Sequence, residues 1–304
     1  MEHLNVRDEM AKNRRGSILL MIVVSVFIFI LAYTLAYLFA PDYLLVVIPF
    51  SLIFIAIYTY SSYMYGDQVV LSATGAIPAE GNQYVYLRDT VEGLSIAAGI
   101  PPPKPYVVPS EEINAFATGR NPEHASIAVT TGLMKELNRQ ELEGVLGHEI
   151  SHIQNRDVQF MTLVAVLVGL AAILSHIILR SLWWGGGRSR SREREGRRGG
   201  GLVIVILLVG LVLAVFAPIL TRLVQFAISR RREFLADASG AVLTRYPEGL
   251  ASALEKIMKH NQGKMDVSEA VSHIFFVDPN KSALDALYAT HPPLQERIRR
   301  LRAM

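Results

Sequence analysis

Long apolar runs alternate with mixed polar segments along the chain. Four runs lack any charged residue: 17–40, 43–60, 158–179 and 202–221. A helix needs about 20 apolar residues to cross a bilayer, and these runs hold 24, 18, 22 and 20 residues. A soluble core rarely contains four such runs. The pattern therefore predicts an integral membrane protein with four hydrophobic helices.

The remaining segments have the mixed pattern of a folded aqueous domain. Apolar residues at helical spacing over 84–98, followed by Gly99, predict one helix. Short apolar segments bounded by turn residues predict three strands of a small sheet, at 106–108, 114–119 and 126–130.

Further helices are expected later in the chain. Asn138 followed by Glu141 is a helix N-cap signature and predicts a helix over about 139–156. Its apolar side comprises Leu142, Val145, Leu146, Ile150 and Ile153. Pro247 opens another helix, and Leu294, Ile298 and Leu301 suit a last amphipathic one. The fold class expected is a mostly α membrane protein with a small β-sheet.

Composition supports this class and restricts the chemistry. Hydrophobic residues make up 51% of the 304 residues and charged residues 19%, with a mean hydropathy of +0.30. A soluble domain has roughly 25% charged residues. The absence of cysteine excludes a disulfide framework, thiolate catalysis and cysteine-bound metals. Any metal must be bound by His, Asp or Glu.

The distribution of basic residues predicts the orientation in the membrane. Four basic residues precede the first run, and the connector before the second run has none. The N-terminus is therefore expected in the cytoplasm, with 61–157 on the same side. The loop 181–201 contains six arginines and two glutamates, and it would lie outside if runs three and four both cross. The sequence leaves open whether they do. The loop lacks interleaved aromatics, so no nucleic-acid partner is expected.

The chemistry is carried by the motif His148-Glu149-Ile150-Ser151-His152 on the capped helix. Two histidines four residues apart lie on one helix face, so both imidazoles can bind one metal ion. Glu149 adjoins that face, where its carboxylate can take a proton from an attacking water. This spacing is typical of a zinc hydrolase.

A catalytic zinc needs a third protein ligand and an open fourth position. The candidates are Glu233, Asp237, His273 and His291. Glu233 and Asp237 lie four residues apart on one helix face, so one could bind the metal while the other orients a histidine. The histidine motif and this pair also lie at similar helical distances, roughly 15 and 18 Å, from the apolar runs that adjoin them.

Three sequence elements resemble the HtpX-type membrane metalloproteases, gluzincins related to the prenyl-protein (CAAX) endoproteases. They are HEISH at 148–152, EFLAD at 233–237 and THPPLQERIRRL at 290–301. The segment 114–133 is also similar to the one that this family has before its zinc helix.

The resemblance implies roles for individual residues. His148, His152 and Glu233 would bind one Zn²⁺ per chain, and Glu149 would act as general base and acid. Asp237 would orient a ligand imidazole, and His291 would donate to the oxyanion. The strand Asn114-Ala115-Phe116 would pair with an extended substrate peptide.

The implied protein is a multi-pass endopeptidase of the plasma membrane with its active site facing the cytoplasm. Its substrates would be misfolded or damaged membrane proteins. The expected organisation is a cytoplasmic N-terminus 1–16, a transmembrane hairpin 17–60, a protease part 61–157, a second helix pair 158–221 and a second protease part 222–304. Two alternatives remain open: a CAAX-type protease for prenylated peptides, and a zinc-binding membrane scaffold without turnover. The sequence does not indicate the oligomeric state.

Overall fold

A computed structural model describes residues 6–39, 41–167, 230–262, 265, 267, 269–279 and 292–304. The fourth apolar run, most of the third, the loop 181–201 and His291 lie outside these residues. The described residues form two long helices, a small sheet and the helices that surround the histidine motif.

The first two apolar runs form helices, as predicted. Helix α1 spans Val6–Phe39 and, after a 3₁₀ turn at Pro41–Tyr43, helix α2 spans Leu44–Ala73. Ser25 Oγ and Thr59 Oγ1 join the two helices at 3.2 Å. Among the described residues, two helical stretches are long and apolar enough to cross a membrane, Arg14–Thr34 and Pro41–Ala73.

A four-stranded sheet follows, with β1 at Ile77–Pro78, β2 at Lys104–Val108, β3 at Ala115–Gly119 and β4 at Ala125–Thr130. The strand order is β1-β2-β4-β3; β2 runs parallel to β4, and β3 is antiparallel to β4. The three predicted strands are confirmed, whereas the two-residue β1 was too short to predict. Strand β3 lies at an edge of the sheet.

Helix α3 (Val85–Ala98) and helix α4 (Thr131–Glu136) precede the motif helix α5, Arg139–Gln154. The predicted cap of α5 is present as a capping box. Asn138 Oδ1 accepts from the backbone N–H of Glu141 at 3.0 Å, and the Glu141 carboxylate accepts from the backbone N–H of Asn138 at 2.8 Å. The two reciprocal bonds satisfy N–H groups that a helix start otherwise leaves unpaired.

Helix α5 ends earlier than predicted. Asn155 caps it, and Arg156 has φ 59°, a left-handed conformation uncommon for residues other than glycine. A new helix, α6, then begins, of which the structure describes Asp157–Leu167. The break turns the chain, so that Asp157 lies beside His152. The sequence predicted one helix up to about residue 156, and this prediction missed the turn.

Four more helices complete the described part: α7 at Arg230–Thr244, α8 at Pro247–His260, α9 at Glu269–Ser272 and α10 at Leu294–Arg302. Glycines let α5 approach its neighbours closely. A methyl group on Gly144 would lie 2.6 Å from the Leu250 backbone nitrogen in α8. The core lies between one face of the sheet and helices α3, α5 and α8. Its members include Leu87, Val91, Ile127, Val129, Leu146, Ile150, Leu254 and Ile257.

Candidate metal centre

Three buried side chains from two helices direct their ligand atoms to one point. His148 and His152 lie one turn apart on α5, and Glu233 lies in the first turn of α7. The Nε2 atoms of the two histidines are 3.1 Å apart. Glu233 Oε1 lies 3.5 Å from His152 Nε2, and Glu233 Oε2 lies 3.9 Å from His148 Nε2.

These separations fit one tetrahedrally bound ion. Two ligand bonds of about 2.1 Å at a tetrahedral angle hold their donor atoms about 3.4 Å apart, and the observed 3.1, 3.5 and 3.9 Å lie around that value. Two imidazoles and one carboxylate are also a donor set of catalytic zinc sites. Within the described ranges, no other group of three His, Asp or Glu side chains converges in this way.

Each histidine is held from behind by an aspartate. Asp237 Oδ1 lies 2.9 Å from His148 Nδ1, and Asp157 Oδ2 lies 2.9 Å from His152 Nδ1. A carboxylate only accepts, so each Nδ1–H donates to its aspartate, and in its neutral form each imidazole presents an Nε2 lone pair to the centre. Two lone pairs and a carboxylate that face one another favour a cation between them.

Electrostatics at the centre also favour positive charge. Burial alone would lower the pKa of His152, but the hydrogen bond to Asp157 and the charge of Glu233 outweigh burial and raise the pKa to about 9. Burial lowers the pKa of His148 to about 4, against the opposing hydrogen bond to Asp237. His148 is therefore neutral, and the acidic neighbours of His152 favour a positive charge on its ring or beside it.

Glu149 lies between the histidines and the sheet edge. Its buried carboxylate accepts a hydrogen bond from the backbone N–H of Ala117 in β3. Burial raises the pKa of Glu149 to about 7; the charge of Glu233 adds to this rise, and the charges of His152 and Arg297 oppose it. A carboxyl group with a pKa near neutrality can both accept and return a proton.

A buried arginine joins the two acidic residues of α7. Arg297 donates from Nε and Nη2 to the two carboxylate oxygens of Asp237 at 2.9 and 2.7 Å, and its Nη1 lies 3.7 Å from Glu233 Oε2. The guanidinium also lies over the Phe276 ring, 4.6 Å from its centroid. Arg297 therefore fixes Asp237, which in turn holds His148.

The structure separates the four candidates for the third ligand. Glu233 faces the Nε2 atoms of both histidines, and Asp237 contacts the opposite nitrogen of His148. His273 is buried, and its Nε2 donates to the carbonyl oxygen of Met161 at 3.2 Å. His291 lies outside the described residues.

The strand expected to bind substrate is occupied by the chain itself. Phe276 N–H donates to Ala115 O at 2.8 Å. The buried Asn114 side chain donates to Val277 O at 2.8 Å and accepts from Val277 N–H at 3.2 Å. Phe116 forms an antiparallel bridge with Phe275. All three predicted strand residues therefore contact the chain's own segment 275–277.

This segment also encloses the centre. A cavity of about 10 Å³ remains beside the ligand atoms, which is room for about one water molecule. Its lining comprises Ala117, His148, Glu149, His152, Val158, Met161, Glu233, Ile274, Phe275 and Phe276. The site as it stands therefore holds no space for a peptide.

Sequence reasoning missed three residues of the site: Asp157, Phe276 and Arg297. A signal existed for Arg297, because it lies three residues after Leu294 and four before Leu301, on the predicted apolar face. For Asp157 the signal was weak, since an acidic residue before an apolar run also reads as an ordinary helix start. Phe276 gave no signal distinct from that of a core residue.

Two histidines and a glutamate of an H-E-x-x-H motif on one helix, with a carboxylate from a second helix that faces both histidines, are the arrangement of a metallopeptidase site. Residues 82–304 match the model of peptidase family M48, and the chain belongs to this family. The protein is a membrane metalloendopeptidase, as the HtpX-type motifs led us to expect.

Two curated relatives that match over nearly their full length support this assignment. The Protease HtpX homolog of Thermoanaerobacter pseudethanolicus is 42% identical over 304 residues, which cover 100% of this chain and 99% of the relative. The Protease HtpX homolog of Caldanaerobacter subterraneus subsp. tengcongensis is 43% identical over 294 residues, 97% and 96% of the two chains. The crystal structure of S. mikatae Ste24p has a TM-score of 0.49 and 20% identity, covering 97% of this chain and 66% of that chain.

Proposed function

We propose that His148, His152 and Glu233 hold one zinc ion per chain and that Glu149 is the general base and acid of peptide hydrolysis. The observation that carries this proposal is the convergence of the three ligand atoms at 3.1 to 3.9 Å. When bound, zinc polarises the scissile carbonyl and lowers the pKa of water at its open position.

The protein side chains perform the proton transfers. Glu149 accepts a proton from the attacking water and returns it to the leaving amine, which its pKa near neutrality allows. Asp237 and Arg297 keep His148 in the tautomer whose Nε2 faces the ion. From the sequence alone, His291 is the proposed donor to the oxyanion.

We further propose that this enzyme is a multi-pass protein of the plasma membrane with a cytoplasmic active site. Support comes from α2, whose most apolar window has a mean hydropathy of 2.2 and is only 6% buried inside the protein. An apolar surface of this size is stable in a bilayer and unfavourable in water. In this arrangement 17–60 and 158–221 form the helix pairs, while 1–16, 61–157 and 222–304 face the cytoplasm. Substrates would be misfolded or damaged membrane proteins.

Glu149→Gln tests the catalytic proposal. Removing a general base typically costs 10² to 10⁴ in rate, so the variant should retain zinc and lose casein cleavage in detergent by about that factor. Glu143→Gln is the matched control, because Glu143 lies on the same helix and contacts Tyr86 instead of the site. Chelator should abolish cleavage by the wild type. Cleavage by Glu149→Gln at the rate of the wild type would contradict the proposal.

The topology needs a separate experiment. The chain has no cysteine, so single engineered cysteines can be labelled one at a time in intact cells with an impermeant maleimide. A cysteine at the exposed Glu123 should react only after lysis if the active site faces the cytoplasm. Labelling of Glu123→Cys in intact cells would contradict a cytoplasmic active site and place this part of the protein outside the cell. A second cysteine placed within 181–201 reports whether runs three and four both cross.

A further inference from the structure

We propose that Asp157 is a positioning residue for the metal centre, the partner of His152 as Asp237 is the partner of His148. This proposal rests on the proposed metal site. Asp157 Oδ2 lies 2.9 Å from His152 Nδ1, the same distance that separates Asp237 Oδ1 from His148 Nδ1. Both aspartates are buried, so neither contact competes with bulk water.

The backbone is shaped to make this contact. A straight helix would carry the residue five positions after His152 to another face. The break at Arg156, with φ 59°, starts α6 at Asp157 and brings that carboxylate back to the histidine. Arg232, adjacent to Glu233 on α7, lies 3.9 Å from Asp157 Oδ1. Each histidine thus contacts an aspartate through its Nδ1. Each aspartate in turn lies near an arginine, Arg297 for Asp237 and Arg232 for Asp157.

Metal affinity distinguishes positioning from general stability. We expect Asp157→Ala to weaken zinc binding by about 10 to 100-fold, the usual cost of losing a partner of a ligand histidine. Asp157→Asn should weaken it less, because its amide oxygen can still accept from Nδ1–H. Glu143→Ala, on the helix that carries His152, should leave the zinc affinity unchanged. Chelator competition measures these affinities independently of turnover.

The visible spectrum of the cobalt-substituted protein provides a second readout. Loss of the Asp157 contact should change the cobalt bands because the His152 ring is no longer fixed, while a merely destabilised protein would show wild-type bands at lower melting temperature. Wild-type zinc affinity together with a wild-type cobalt spectrum in Asp157→Ala would overturn the proposal.

We infer that segment 274–277 occupies the position of the substrate and that a substrate must replace it on the outer edge of β3. This inference also rests on the proposed function. Phe276 N–H bonds to Ala115 O as an added antiparallel strand would, and Val277 is held by Asn114. Residues Ile274, Phe275 and Phe276 also line the small cavity beside the ligand atoms.

The side chains of segment 274–277 indicate which side chains a substrate would carry. Successive side chains of a strand point to opposite faces. The Phe276 ring lies against His148, with centroids 4.8 Å apart, and the Phe275 ring packs on Phe116, also at 4.8 Å. Both phenylalanines are buried. A peptide that displaces them leaves two apolar spaces, which large apolar side chains of the peptide would fill. Extended apolar segments, such as unfolding exposes, are the class of substrate that fits.

Hydrogen exchange tests the displacement on a protein that cannot turn over. Zinc-loaded Glu149→Gln, free or saturated with β-casein, is compared at the amides of 274–277. We expect these amides to exchange faster when β-casein is bound, because Phe276 N–H loses Ala115 O. Unchanged or slower exchange there would overturn the inference. If the wild type cleaves β-casein but the amides of 274–277 stay protected in the β-casein complex of Glu149→Gln, only this inference fails. If the wild type does not cleave β-casein, the proposed function fails.

A cross-link and a peptide series complete the test. In the double variant Phe116→Cys/Phe275→Cys, oxidation should form a disulfide that fixes segment 274–277 on β3 and abolishes cleavage. Reduction of the same sample should restore cleavage. Equal activity of the two forms contradicts the inference. Among short peptides that differ at one position, phenylalanine near the scissile bond should give at least about tenfold higher kcat/KM than serine. Equal kcat/KM for the two peptides would contradict the substrate class.

Discussion

Gly240 of helix α7 packs directly on the backbone of His148 in helix α5. A methyl group on Gly240 would lie 2.8 Å from the His148 backbone nitrogen and 3.0 Å from the Gly147 carbonyl carbon. Glu233 lies seven residues before Gly240, two turns along the same helix. The close crossing of the two helices therefore sets the distance between the histidines and the carboxylate that faces them.

We predict that Gly240→Ala separates these helices and weakens the metal site. Overpacking of this kind costs about 1 to 3 kcal/mol of stability, and zinc affinity should fall with it, because Glu233 moves away from His148 and His152. Gly93→Ala is the matched control, since a methyl group there meets nothing within 4 Å and alanine stabilises a helix by about 0.5–1 kcal/mol relative to glycine. Thermal unfolding and chelator competition measure both effects. Unchanged zinc affinity in Gly240→Ala would contradict this account of the crossing.

The second prediction concerns the buried charge of Arg297. Its guanidinium is fully buried and neutralises Asp237, with Glu233 close by. Removing one partner of a buried ion pair typically costs about 3–5 kcal/mol, because the other charge stays buried and uncompensated. We therefore expect Arg297→Met to lower the free energy of unfolding by that amount, as measured by denaturant titration.

Two further substitutions control for this effect. Arg297→Lys keeps the charge but cannot donate to both Asp237 oxygens in the fork geometry. Its loss of unfolding free energy should therefore lie between zero and that of Arg297→Met. Arg302 on the same helix pairs with Glu248 and Glu255 at the surface, and Arg302→Met should leave the free energy of unfolding close to that of the wild type, because water screens an exposed ion pair. If Arg297→Met were as mild as Arg302→Met, Arg297 would not be essential to the centre.

The third prediction is a pH dependence at the cap of α5. Burial alone would raise the pKa of Glu141, but hydrogen bonds from Lys256, from the Asn138 backbone and from Ser252 outweigh it and hold the pKa below its usual value. A carboxyl group with a lower pKa in the folded state stabilises the fold above its unfolded pKa, about 4.3. That stabilisation is lost as the pH falls through the folded pKa.

Glu141→Gln should therefore be about 1 kcal/mol less stable than the wild type at pH 7. At pH 3 the deficit should be smaller than at pH 7, because a larger fraction of the wild-type carboxyl group is protonated as the pH falls toward its folded pKa. Denaturant unfolding at the two pH values measures the difference directly. An equal deficit at both pH values would show that the ionised form of Glu141 contributes nothing.

Local signals in the sequence account for much of the fold. The cap at Asn138 and Glu141 placed the start of α5, and the apolar residues Leu146 and Ile150 placed its buried side; both predictions are confirmed. These features depend on neighbours within a few residues, which a sequence displays. Equally local signals predicted strands β2 to β4 and the start of α8 at Pro247, and these predictions are also confirmed.

Features that depend on distant contacts were harder to predict. The break at Arg156 has no glycine or proline beside it that would indicate it in the sequence. The occupation of the β3 edge by Phe276 joins residues 161 positions apart, Ala115 and Phe276. Arg297 lay on a predicted apolar face, yet its partner Asp237 is known only from the tertiary fold.

The central claim is that one zinc ion is shared by His148, His152 and Glu233. X-ray absorption at the zinc edge of the purified full-length protein tests it most directly, with Glu233→Ala measured in parallel. We predict one zinc per chain bound by two imidazole nitrogens at about 2.0–2.1 Å and by carboxylate oxygen, with the carboxylate contribution lost in Glu233→Ala. A protein without zinc, or an unchanged spectrum in Glu233→Ala, would contradict the claim.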